Sequence, residues 1–399
     1  MKLVGNSRYQ KAANGSLLLD FLRRSGGASR RRISRELGLQ PSTVTYIVNR
    51  LLQAGLVVES GFGGNDPADS SDEPARGSGR RATRIVINPT YGAVIGLDLQ
   101  ADYYKALVTD IAGEEIVCVH REYHAAAAGF EALFSSVLAE VESRIPRNMP
   151  VLGAGVAIPG VVDPEGPVIE ECWSHNLTGA HLGEFLARTF SYPVLMENDA
   201  NCCAWKTLWY DSRDEDDSFV YLLPRFHRQE LLPEGYPSVG VGLGLVYNGT
   251  IYNGFTRRAG EFRSLFFEES GNVPGQIALT PLEMNRVSRD AGIRRKLVVE
   301  LLRTLILFMH ISNPRALFVG GDLSSEGDLI RRVLEEDLRQ EWDALARSGV
   351  QVEVLGNAEY DAARGAAAAV LDTLYSIPRI GGREQDARIW RSLLTNLID

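Results

Sequence analysis

Charge is split along this chain so sharply that its two ends suit opposite partners. Residues 1–60 carry ten Lys or Arg against three acids, Asp20, Glu36 and Glu59, a surplus of seven in a chain whose total is −9, which leaves −16 on the rest. A polyanion is drawn to the first segment and repelled by the second. At 399 residues the chain exceeds what one hydrophobic core ordinarily organises, so two or three domains are expected.

The basic segment reads as three helices in quick succession. Leu17, Leu18, Phe21 and Leu22 stripe the first. Ser29 can cap the second, where Ile33 and Leu37 lie on one face and Gly38 ends the run. Pro41 opens the third, whose Val44, Ile47, Val48, Leu51 and Leu52 repeat at helical spacing until Gly55. With that face inward, Ser42, Thr43, Thr45, Tyr46, Asn49 and Arg50 remain outside. Their hydroxyl, amide and guanidinium groups suit base edges and phosphates in a major groove. Arg30 and Arg31, followed by Arg32, begin the second helix, where phosphate contacts are expected. Residues 56–59 and 85–87 read as strands around a polar Gly/Asp/Ser/Pro stretch over 61–79, trailed by Arg80 and Arg81. Strand, loop and strand after such a helix form a wing. Residues 1–89 are therefore expected to be a winged helix-turn-helix that binds double-stranded DNA, its wing loop disordered. A small helical protein–protein adaptor is the competing reading.

Beyond Tyr91 the pattern changes. Residues 94–99, 105–109 and 115–119 read as a three-strand meander, followed by alternating helices and strands to residue 208. The order then recurs, with strands at 218–223, 239–247, 250–252, 316–319 and 352–355 and a last helix over 362–374. Two such halves around a cleft define an α/β, actin/hexokinase-like, duplicated ribonuclease-H-like body with its ligand at the strand ends in the crevice. The lobes are placed at 90–212 and 213–375. A helical tail over 376–399 carries Ile389, Trp390, Leu393 and Leu394 toward the body, a sister subunit or a protein partner.

The four cysteines show no metal-ligand spacing and two are adjacent, which fits buried free thiols in a reducing cytosol. The N-terminus lacks a signal-peptide core, and the apolar run 297–311 is too short to span a bilayer. A cytoplasmic protein without a membrane partner is expected.

Five segments occur in a telling order: Ala157-Ile158-Pro159-Gly160 with Asp163 and Gly166; Glu197-Asn198-Asp199-Ala200-Asn201; Gly240, Gly242 and Gly244 with Asn248-Gly249; Ala259-Gly260-Glu261; and Gly320-Gly321-Asp322-Leu323-Ser324. In this order, behind a winged helix, the chain resembles the ROK family of repressors, open reading frames and sugar kinases. The resemblance implies that Asn198 and Asp199 hydrogen-bond sugar hydroxyls, that Glu261 contacts the ring, and that Glu283 and Asn176 complete the sugar site. It would make Asp199 the general base in a kinase. Taken singly, Asn198-Asp199 also reads as a helix cap, Pro159-Gly160 as a turn and Glu261 as a surface residue.

Two departures from the family pattern matter. The positions of its zinc ligands are Ser264, Pro274, Gln276 and Pro281 here, none able to act as thiolate or imidazole, so no metal is expected. The glycine turn that kinases lay against nucleotide phosphates is replaced by Asp98-Leu99-Gln100-Ala101-Asp102, and Val241 stands where kinases commonly carry Thr. ATP use and catalysis are expected to be lost, leaving no cofactor and no catalytic residue. The chain thus reads as a DNA-binding regulator, a homodimer or homotetramer answering to a sugar or sugar phosphate. The alternative is an ATP-dependent sugar kinase with an accessory head.

Overall fold

The computed structural model describes residues 7–61, 83–123, 129–164, 166–211, 217–232, 235–268 and 275–375. Arg80, Arg81, nearly all of the wing loop and the C-terminal tail lie outside these residues.

Helices α1 (Ser7–Ser25), α2 (Arg30–Leu37) and α3 (Pro41–Gln53) form the head with the sheet β1 (Ala28–Ser29), β2 (Val57–Ser60) and β3 (Arg84–Ile87), in the order β1-β3-β2. Local chemistry sets the boundaries. Ser29 accepts from the Arg32 amide at 3.2 Å, Gly38 closes α2 at φ 63°, and Pro41 begins α3. Leu18, Leu22, Ile33, Val44, Val48, Leu51 and Ile85 are buried together. The inward stripe of α1 differs by one position from the expected one: Leu19 is buried and Leu17 is exposed.

The first lobe holds β4 (Ala93–Leu99), β5 (Tyr103–Asp110), β6 (Glu115–Glu122), β7 (Val151–Ile158) and β11 (Val194–Asn198), ordered β11-β7-β4-β5-β6. Helices α4 (Phe130–Glu142) and α5 (Gly183–Thr189) accompany it. A separate antiparallel sheet of β8 (Val161–Asp163), β9 (Val168–Cys172) and β10 (Leu177–His181) leaves the end of β7; its short polar strands carry no alternation from which to foresee it. Helix α6 (Asp199–Lys206) leads to the second lobe, β12 (Phe219–Phe226), β13 (Val239–Tyr247), β14 (Thr250–Ile251), β15 (Ala316–Val319) and β16 (Gln351–Val354), ordered β14-β13-β12-β15-β16. The two sheets have equivalent strand orders, which establishes the duplication. Helices α7 (Pro281–Met284), α8 (Ala291–Ser312), α9 (Gly327–Arg332) and α10 (Arg339–Ala346) cover the second sheet, and α11 (Asp361–Tyr375) ends the described chain. Helix α8 spans the apolar run; Leu301, Leu305 and Met309 are buried, but Leu307 and Ile311 are exposed, so the run is not wholly interior. Among the described residues, no helix is long and apolar enough to cross a membrane.

The lobes exchange helices. Helix α6 follows a first-lobe strand yet packs on β12 and β13, whereas α11 follows a second-lobe strand and packs on β4 and β7. The two helices cross at Gly365, where an added Cβ would lie 1.6 Å from the Cys202 carbonyl oxygen. Only a residue without a side chain permits that approach.

The head joins the base of the first lobe through one apolar cluster, with Leu18, Leu22 and Ile87 on one side and Trp209, Leu371, Leu374 and Tyr375 on the other. Arg23 of α1 sits 3.9 Å from the Trp209 ring centroid and 5.8 Å from that of Tyr375, while its Nη2 pairs with Asp20 at 2.9 Å. The Tyr375 hydroxyl donates to the Ile111 carbonyl. Trp209 lies on the π-helical turn Thr207–Asp211 that continues α6.

Because neither helix can retreat, Gly365→Ala is expected to destabilise the body by about 1–3 kcal/mol through overpacking. Chemical denaturation followed by far-UV circular dichroism would measure it, with Ala368→Gly as the control for helix propensity.

Candidate functional site

A cavity of about 370 Å³ opens between the lobes, within the range typical of small-molecule sites. Its floor is the junction of β11 and α6. Asn198 caps α6: its Oδ1 accepts from the amides of Ala200 (2.9 Å) and Asn201 (3.1 Å), and its Nδ2 donates to the Gly160 carbonyl at 2.9 Å. The cap and the cavity wall are thus the same residue. Asp199 is buried beside it; Gln100 Nε2 donates to its Oδ2 at 3.1 Å and to Asp98 Oδ1 at 2.6 Å. Burial pushes the Asp199 carboxyl above its usual range, against the opposing pull of Arg225. Glu261 lines the cavity with its side chain exposed to it, and desolvation followed by the Asp199 charge raises its carboxyl too.

Behind Asn198, the buried Glu197 accepts from the Asn198 amide at 2.8 Å and from Asn201 Nδ2 at 3.0 Å. Burial nonetheless lifts its carboxyl to about 7.

The opposite wall carries residues that the sequence had not singled out. Arg225, at the end of β12, is buried and pairs with Asp98 at 2.7 Å. His227 Nδ1 lies 2.8 Å from Asp102 Oδ1, whose other oxygen accepts from the Arg228 amide at 3.0 Å. Burial alone would raise Asp102, but the His227 ring and that amide outweigh it and hold the carboxyl below its usual value. Asp102, at the end of the degenerate turn, is therefore an internally paired group. At the mouth, Trp173 is 57% exposed; its Nε1 donates to Glu171 at 2.6 Å, and Glu171 pairs with Arg258 at 2.6 Å. Charged residues closing an apolar strand, as Arg225 and His227 do, were the available signal for this wall.

Two expected sugar contacts lie elsewhere. Asn176 is exposed and closes the turn Trp173–His175 in the left-handed region at φ 53°, a conformational role that Asn tolerates well. Glu283 forms a capping box with Thr280 at the start of α7 and pairs with Lys296 at 2.8 Å; Lys296 and Thr280 hold its carboxyl at about 2. Neither residue lines the cavity.

The segment that zinc would brace in the family is held by an amide. Gln276 Oε1 accepts from the Val241 amide at 2.9 Å and its Nε2 donates to the Val241 carbonyl at 2.8 Å, while Ser264 N bonds the Gln276 carbonyl at 2.8 Å. Pro281 is the first residue of α7, and Pro274 lies outside the described residues. These residues do not fit a zinc ion.

On the head, Ser42, Thr45, Tyr46 and Asn49 are exposed, with Thr43 and Arg50 half-buried. Arg50 Nη1 donates to the Tyr46 hydroxyl at 2.9 Å, which lowers the phenol's pKa, and Lys11 Nζ lies 5.7 Å from its ring centroid. Thr45 turns its hydroxyl back to the Pro41 carbonyl. Arg31 is exposed, and Arg30 pairs with Glu59 at 3.2 Å.

Comparison with known proteins agrees with this division. Residues 16–64 match the MarR family and residues 94–263 match the ROK family. The chain is 25% identical to the xylose repressor of Bacillus spizizenii over 273 residues, 67% of this chain and 64% of that protein. It is 21% identical to the xylose repressor of Caldicellulosiruptor bescii over 94% of this chain and 99% of that one. Among solved structures, a ROK family transcriptional regulator described as a homologue of the Escherichia coli MLC protein superposes with a TM-score of 0.65, at 16% identity, over 98% of this chain and 99% of that one. The architecture is that of a winged helix-turn-helix joined to a two-lobed, actin/hexokinase-like body. Residues 16–64 thus carry a MarR-type helix-turn-helix, and residues 94–263 carry a ROK domain.

A raised carboxyl favours folding at low pH, and its contribution falls as pH climbs through the raised value. Glu197→Gln keeps the acceptor and removes the buried charge. Its thermal midpoint should therefore exceed the wild type's most clearly above pH 7, the gain shrinking toward pH 4.5; melting curves across that range would show it.

Proposed function

We propose that this protein is a sugar-responsive, DNA-binding transcriptional regulator, acting as a repressor that its ligand releases from an operator. The observation that carries this reading is the course of α6. Its first residues form the floor of the cavity, and its π-helical continuation presents Trp209 to Arg23 of the head. A ligand that draws the lobes together acts on both ends of one rigid element. It shifts the balance of states only through its differential affinity for them. The names of the repressors above support the same reading.

Two copies would present two α3 helices to an inverted repeat, with half-sites about 34–36 Å apart per helical turn. Ser42, Tyr46, Asn49 and Arg50 would read base edges, and Arg30 and Arg31 would hold phosphates.

The body is read as non-catalytic. In a kinase of this fold the glycine hairpin at Gly240-Val241-Gly242 would offer its backbone to phosphate. Here the Val241 amide is already bonded to Gln276, and Arg225 is committed to Asp98. Asp199 remains as an acceptor for ligand hydroxyls. Metal-dependent phosphorylation of any sugar by the purified protein would overturn this reading.

Fluorescence anisotropy with fragments flanking the gene should show binding that weakens steeply with salt. Arg50→Ala and Tyr46→Ala should each reduce it by tenfold or more while leaving the thermal midpoint of the body unchanged. Arg23→Ala and Trp209→Phe should retain both DNA and ligand affinity yet shrink the ligand's effect on DNA binding. Titrating each variant with DNA in the presence and absence of saccharide would separate coupling from affinity.

A further inference from the structure

On the saccharide reading of the cavity, we infer that the ligand is an uncharged sugar rather than its phosphate ester. The inference comes from the charge pairing of the wall. Four cationic or protonatable side chains border the cavity, and three face a carboxylate of the protein itself: Arg225 pairs with Asp98 at 2.7 Å, Arg258 with Glu171 at 2.6 Å, and His227 with Asp102 at 2.8 Å. The fourth, Arg263, is exposed and lies 5.1 Å from the Phe267 ring centroid. Set against these, Asp199 and Glu261 face the cavity without a salt bridge among the described residues. The wall thus has no surplus positive charge and two carboxylates without a salt bridge among the described residues: Glu261, and Asp199, which accepts only from the neutral Gln100 amide and the Ala200 backbone.

A sugar hydroxyl supplies what this wall lacks, because it donates to a carboxylate and can accept from an amide or guanidinium in turn. A phosphate dianion brings acceptors alone. It would meet Asp199 and Glu261 as like charges in a site where burial weakens screening. The amide of Val241, a residue of the cavity lining, is already bonded to Gln276. Trp173 adds an apolar surface at the mouth, its ring oriented by the bond from Nε1 to Glu171, against which the C–H face of a pyranose can lie.

The test is a binding panel on the full-length protein, read by thermal shift and isothermal titration calorimetry. It sets D-glucose, N-acetyl-D-glucosamine, D-xylose and cellobiose beside glucose 1-phosphate, glucose 6-phosphate and N-acetylglucosamine 6-phosphate. The expected result is binding by at least one neutral sugar, with any matched phosphate ester at least tenfold weaker. Tighter binding by an ester than by its parent sugar would overturn the inference while leaving the saccharide site intact. No binding by either class would remove the saccharide reading along with it. Glu171→Gln supplies a second measure, since it releases the Arg258 charge and keeps an acceptor for Trp173. It should narrow the gap between ester and parent by severalfold, and an unchanged gap would count against charge pairing as the source of selectivity.

Discussion

The two lobes are joined by the crossing of α6 and α11. Each helix leaves one lobe and packs on the sheet of the other, and they touch where Gly365 meets the Cys202 carbonyl. The alanines of α11, Ala362, Ala363, Ala366 and Ala367, are buried along the same face. The first-lobe sheet answers with Gly96 and Gly155, whose Cβ positions would fall 1.9 Å from the carbonyl oxygens of Ala363 and Ala366. Small residues on both sides bring backbones close enough that dispersion, rather than side-chain interlocking, holds the lobes. The crossing lies between the cavity floor at the start of α6 and the head contact at Trp209.

The two ends of α6 therefore serve different masters within one helix. At its start, the capping of Asn198 fixes the helix to the cavity floor through Gly160. At its end, the turn widens and Trp209 is pressed between Arg23 and Tyr375, with the Trp209 and Tyr375 ring centroids 5.5 Å apart. A π-helical turn is an uncommon insertion that often marks a functional position in a helix. Here it lies between the cavity floor and the head, where Trp209 meets Arg23.

The sequence made the head legible nearly to the residue, because its signals are short-range: a Ser cap, a Gly stop, a Pro start and a helical stripe of Val, Ile and Leu. The duplicated strand order was legible for the same reason. Asn198 and Asp199 could be picked out from a compact motif at the end of β11, and Glu261 from the short Ala259-Gly260-Glu261 motif. Arg225 and His227 were marked only as charges closing an apolar strand, and their place against Asp98 and Asp102 comes from the fold alone. Nothing in the local pattern around Asp98 announces a partner 127 positions away. Asn176 and Glu283 show the converse. Both stand at motif positions, and both are engaged in local backbone geometry that a motif does not display.

The Gln276 amide has a consequence beyond the cleft. A metal cross-link at that point would make the shape of the second lobe depend on ion supply, chelators and the oxidation of its thiolates. Here the tether is a pair of neutral hydrogen bonds to one peptide unit, and the thiols of Cys172, Cys202 and Cys203 are buried in other parts of the body. At this point the second lobe is held by groups that neither coordinate a metal nor undergo thiol oxidation.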